Sequence, residues 1–128
     1  MTNTFLLNDF YTIKTLSNDA EKIQATVLLN SSHAIFKGHF EQMPVVPGVC
    51  QTQLIKELLQ EVTKKQLQLW KATNVKYTGM IVPHEYPLIN VEISYLINSE
   101  TNNYQVDAKL FFETTVFTKF KGVFKIIA

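Results

Sequence analysis

One stretch of this chain carries a helical period, and it opens on a proline and a glycine. From Pro47 and Gly48 to about Lys65, Cys50, Leu54, Leu58 and Val62 recur every four residues, with Ile55 and Leu59 widening the apolar stripe. Proline suits a first helical turn because its missing N–H would find no partner there anyway. Gln60 with Lys64 and Glu61 with Lys65 are spaced for favourable contacts on the outer side. Everything around this helix reads as strand. Phe5 to Lys14 is aromatic and β-branched, Lys22 to Leu29 alternates, and a turn is expected between them at Ser17 to Asp19. After the helix come strand-like segments at about Leu67–Tyr77, Leu88–Ile97, Tyr104–Thr115 and Phe117–Ile127, with a polar hairpin loop at Asn98–Asn103. One long helix between two strands and four strands predicts an α+β domain in which a single antiparallel sheet wraps the helix.

Size and charge narrow the classes. At 128 residues, 46% hydrophobic, the chain suits one domain over 1–128. A formal net charge of +1 gives no support to phosphate-driven nucleic-acid binding. The lysines are nonetheless uneven: Lys64, Lys65, Lys71 and Lys76, then Lys119, Lys121 and Lys125, offer a surface to an acidic partner or simply a solvated face. Cys50 is the sole cysteine, which fits a reducing compartment. No apolar run approaches the roughly 18 residues of a membrane span, and the first residues lack a signal-like pattern, so a cytoplasmic protein is expected. His33 and His84 share no ligand spacing with His39, which argues against zinc. Trp70 and the phenylalanines at 111, 112, 117, 120 and 124 are expected in the sheet core.

The helix is preceded by "FKGHFEQMPVVPGVCQTQ", Phe36 to Gln53. Within it Gly38, His39, Phe40, Pro44, Pro47, Gly48 and Val49 resemble the active-site segment of the β-hydroxyacyl-(acyl carrier protein) dehydratases of the hotdog superfamily. Downstream "VKYTGMIVP", Val75 to Pro83, is similar to that family's strand ending in a V-x-P turn. Two stretches depart from the family pattern: Glu41-Gln42 stands for its proline-glycine, and His84 for the glycine after the V-x-P turn. The departure that touches chemistry is Gln53, at the helix position where the family carries an acid. Four residues on, where the family usually carries glutamine, stands Glu57.

The resemblance implies a dehydratase that removes water from a 3-hydroxyacyl thioester in fatty acid or related lipid synthesis, with no metal or dissociable cofactor. Its substrate would arrive on acyl carrier protein or coenzyme A. It also implies a homodimer, or an oligomer of dimers, with sheets joined edge to edge and an apolar acyl tunnel along the interface, lined near the site by Phe40 and Pro47. His39 suits the base, because imidazole titrates near working pH. The Gly48 and Val49 N–H groups at the helix start suit the thioester oxygen, and glycine leaves that oxygen room to approach. A glutamine can hold the departing hydroxyl yet cannot protonate it at neutral pH. Glu57, on the same side one turn later, is then the candidate acid. Alternatively Gln53, Lys56, Glu57 and Gln60 form a solvated face away from the Leu54/Leu58 stripe. Two rival functions follow: a non-catalytic acyl-binding subunit that pairs with an active dehydratase, and a thioesterase on the same fold.

Overall fold

The computed structural model describes residues 5–36 and 44–127. Six strands, β1 (Tyr11–Asp19), β2 (Lys22–Leu29), β3 (Leu67–Tyr77), β4 (Leu88–Ile97), β5 (Asn103–Phe112) and β6 (Thr115–Ile126), form one sheet. Its order is β1-β2-β4-β5-β6-β3 with every pairing antiparallel. The helix α1 (Gly48–Thr63) lies against the inner face, and a short 3₁₀ turn spans Ala34–Phe36. The inner strand residues Ile23, Ala25, Val27, Ile89, Val91, Ile93, Val106, Ala108, Leu110, Phe120 and Phe124 alternate along their strands. They meet the buried helical residues Cys50, Leu54, Ile55, Leu58 and Leu59, so strand and helix periods converge on one core.

The hairpin connections explain where the strands begin and end. The expected turn at Ser17–Asp19 is strand instead, with Ser17 paired to Gln24 and Asp19 to Lys22. The chain reverses at Ala20 and Glu21, whose φ values of 52° and 64° are the left-handed pair that a two-residue hairpin needs. Neither residue is the glycine or asparagine that usually marks such a turn. β1 correspondingly starts at Tyr11 rather than Phe5. At the other hairpin Glu113 takes φ 53° and ends β5 three residues earlier than expected.

The two edge strands are irregular. On β3 one extra residue, Trp70, falls between the pairs Leu69–Phe124 and Lys71–Val123, and another, Thr73, between Ala72–Gly122 and Asn74–Lys121. On β1 Lys14 is extra between Ile13–Val27 and Thr15–Thr26. Such bulges bend a strand and raise its twist. Gly122 makes the β3 bulges possible, since a Cβ there would lie 2.8 Å from the Lys71 carbonyl oxygen and 2.7 Å from the Phe120 ring. Trp70 alternates with the inward Leu67 and Leu69 and so faces outward, 54% exposed, with Lys71 and Lys125 near its ring, and the expectation of a core tryptophan is corrected.

Candidate active site

The helix start is built by its neighbours. Pro47 is the N-cap in extended conformation (φ −63°, ψ 150°), and its carbonyl accepts from the Cys50 and Gln51 N–H groups at 3.0 and 3.1 Å. Among the described residues no side chain caps this end, and the Gly48 and Val49 N–H groups have no intrahelical acceptor. Gln51, buried, fixes the approach: its Nε2 donates to the Val46 carbonyl at 3.2 Å and its Oε1 accepts from the Thr118 hydroxyl of β6. Val46 is in turn tied to Ile81 by a backbone bond of 2.9 Å. Val49 at this end is 77% exposed, an apolar side chain with no cover in the single chain.

Gly48 has a different neighbour from the one its sequence suggests. A Cβ on it would lie 2.9 Å from Cζ of Tyr77 and closer still to the phenol oxygen. The space glycine leaves is therefore taken by Tyr77, the last residue of β3. Tyr77 is itself more than half exposed, and its ring rests over the helix start.

One turn further along, the expectation of a solvated face fails. Glu57 is fully buried because residues 5–11 fold back over it, and Gln60 is nearly so. Oε2 of Glu57 accepts from the N–H groups of Phe5 (2.8 Å) and Leu6 (3.0 Å) and from Nε2 of Gln53 (2.8 Å). Oε1 accepts from the Leu7 N–H (2.9 Å) and the Tyr11 hydroxyl (3.0 Å). Five donors against about four lone-pair positions leave the carboxylate no free site from which to serve a ligand. Glu57 is thus placed as an acceptor that ties the chain's early residues to the helix, and not as the freely reaching acid the sequence suggested. Burial, first, and then the Glu57 charge push the Tyr11 hydroxyl far above its ordinary range, so it stays a donor.

Gln53 is half-buried, and its amide nitrogen is engaged by Glu57 while Oε1 has no partner among the described residues. Gln60, by contrast, turns its Oε1 to the Leu67 N–H (2.8 Å) and pins the start of β3. Cys50 is buried in the apolar stripe and burial raises its thiol pKa, consistent with a small core residue. His39 and Phe40 lie outside the described residues. His33 accepts the Ile35 N–H at Nδ1 and meets Asp9 through Nε2 at 2.9 Å. Among the described residues no group of three or more histidine, cysteine or acidic side chains is placed to hold a metal, and no helix is long and apolar enough to cross a membrane.

A surface depression of about 590 Å³, lined by Trp70, Tyr95, Gln105 and Val123 among others, has no helical residue in its wall. Beside it on the outer sheet face, Lys109, Lys119 and Lys76 stand abreast on β5, β6 and β3. Sequence reasoning singled out two of these three but not their alignment, which depends on register.

A six-stranded antiparallel sheet wrapped round one long helix is the hotdog fold. Residues 15–116 match the ApeI-like family, described as ApeI dehydratase, and the chain belongs to that family. None of the curated proteins matches it in sequence. Among solved structures it is similar to the dehydratase heterocomplex ApeI:P of Xenorhabdus doucetiae, with 16% identity, TM-score 0.65, and coverage of 87% of this chain and 95% of that one. An uncharacterized protein of Erwinia carotovora aligns with 17% identity over 91% and 92% of the two chains, TM-score 0.53. A Shewanella oneidensis protein proposed to be a thioesterase aligns at 10% identity over 92% and 84%, TM-score 0.56. At these identities the structures establish the fold, and the dehydratase kinship rests on the family match.

Proposed function

We propose that the chain acts on 3-hydroxyacyl thioesters as a dehydratase-type hotdog protein, forming or accepting the trans-2-enoyl thioester. The observation that carries this reading is the uncapped start of α1 behind Pro47, in a member of a dehydratase family: two backbone donors, aligned with the helix dipole, await an oxygen that becomes negative. In this reading the thioester oxygen accepts from the Gly48 and Val49 N–H groups once Tyr77 yields. His39 removes the proton beside the carbonyl, Gln53 holds the 3-hydroxyl, and Phe40 and Pro47 line the approach. Pairing along β3, the long exposed edge strand, would complete the site with a second subunit. The lysine row of Lys76, Lys109 and Lys119 supports an acidic carrier protein as the thioester's vehicle. Enoyl thioester hydration by the purified chain, followed by loss of absorbance of the conjugated thioester, tests this. Activity abolished by His39→Ala is expected; an unchanged rate in that variant refutes the assignment.

A second reading is favoured by the fully engaged Glu57. With Gln53 unable to protonate a leaving hydroxyl, the chain would be the partner of an active dehydratase, and the Xenorhabdus structure to which it is similar is itself a dehydratase heterocomplex. Hydration seen only after co-expression with such a dehydratase, and from neither chain alone, selects this reading.

A further inference from the structure

The Gln53–Glu57 pair fixes which end of an amide a ligand meets. Glu57 is surrounded by donors, three of them backbone N–H groups that cannot turn round, so it offers Gln53 only acceptor oxygens. The Gln53 nitrogen must therefore face inward, at 2.8 Å from Oε2, and the oxygen Oε1 must face away from Glu57. This orientation follows from the chemistry of the neighbours and not from how an amide happens to be drawn. Oε1 has no partner among the described residues, and the side chain is only half-buried. Val49, whose N–H has no intrahelical acceptor at the helix start, is four residues before Gln53 and so on the same side of α1.

We infer that Glu57 is a positioning residue which presents Gln53 Oε1 as a hydrogen-bond acceptor, so that this site selects thioesters carrying a hydroxyl on the acyl chain over otherwise identical ones without it. The inference rests on the proposed thioester-binding reading and adds to it the origin of selectivity. A ligand whose carbonyl oxygen sits on the Val49 N–H places its chain along this side of the helix. Its 3-hydroxyl can then donate to Oε1, while a saturated chain would leave that oxygen without a donor. The hydroxyl is held through its own proton, so Gln53 orients the leaving group without protonating it. A carboxylic acid at the same position could do both, which is what the exchange of glutamine and glutamate across one turn removes.

The test compares binding of 3-hydroxyoctanoyl-pantetheine and octanoyl-pantetheine to the full chain carrying His39→Ala, which prevents turnover. One net hydrogen bond predicts a preference for the hydroxylated ligand of about three- to tenfold. Gln53→Met, which leaves the other four donors on Glu57, should bind octanoyl-pantetheine as before and bring the ratio to about one. Glu57→Ala should lower the ratio as well, because it removes the acceptor that holds the Gln53 nitrogen inward and lets the amide turn. A purely structural role for the pair would weaken both ligands together and leave their ratio unchanged, which would overturn the inference. Equal binding before the Gln53 change overturns it while sparing the thioester reading. Binding of neither ligand overturns both.

Discussion

Replacing Glu57 by glutamine alters one atom and should cost the protein a large part of its stability. The least damaging orientation puts the new NH₂ at the Oε1 position, where the Tyr11 hydroxyl can rotate to accept but the Leu7 N–H cannot. One part-buried donor is then orphaned, at about 1–3 kcal/mol. The bonds from Phe5, Leu6 and Gln53 survive on a neutral oxygen and lose their charge assistance, which adds about 1–2 kcal/mol after allowing for their partial exposure. Together the loss is about 3 kcal/mol from a total of about 5–15 kcal/mol. With an unfolding entropy of about 2.1 cal/mol/K per residue over 128 residues, that lowers Tm by about 11 °C. Thermal and urea unfolding followed by circular dichroism measure it, with Tyr11→Phe as the companion that removes one donor alone and should cost about 1 kcal/mol. In the double variant the two losses should not add, because the Tyr11 bond is counted in both. A Glu57→Gln protein within about 0.5 kcal/mol of the parent would refute the view that this carboxylate anchors residues 5–11.

Tyr11 also sets an alkaline limit. Its folded pKa is raised, so its contribution is complete below the ordinary tyrosine value of about 10 and falls above it, as the unfolded chain ionises first, by about 1.4 kcal/mol per pH unit. Urea titrations at pH 9 and pH 11 should show the stability gap between parent and Tyr11→Phe narrowing at the higher pH. Gly122→Ala should destabilise by about 1–3 kcal/mol, because the new methyl meets a backbone carbonyl across the bulge; chemical unfolding reads this directly. Cys50, buried with its pKa raised, should resist iodoacetamide in the folded protein and react on addition of denaturant, as mass spectrometry would show.

The elements whose signals are local were legible in the sequence. The helix start at Pro47-Gly48 and the limits of β2, β3 and β4 are where periodicity and proline chemistry put them. What escaped depends on distant neighbours. Ala20 and Glu21 adopt left-handed φ without a turn-forming residue because the pairing of β1 with β2 demands it. Trp70 faces out in simple alternation with the inward Leu67 and Leu69, and a bulge, invisible to alternation counting, then sets Lys71 on the same face. Tyr86, flanked by Pro83 and Pro87, packs edge-on against Phe117 at 4.9 Å, a contact that no local signal announces. Glu57 and Gln60 sit off the apolar stripe of the helical wheel, yet a segment 46 to 52 positions earlier covers Glu57. Of the site itself, the helix start and the exchange of Gln53 with Glu57 were readable, while the polarity of their contact was not.

The bulges at Trp70 and Thr73 bear on how this sheet chooses company. A straight edge will extend with almost any strand, which is how open sheets run on into fibres. An edge with two offsets presents its free backbone groups out of step, and an incoming strand must carry matching irregularities to meet them. Recognition at β3 is therefore a matter of rhythm along the strand as much as of side-chain chemistry. A chain waiting for its proper companion would stay single in a crowded solution instead of recruiting a stray one.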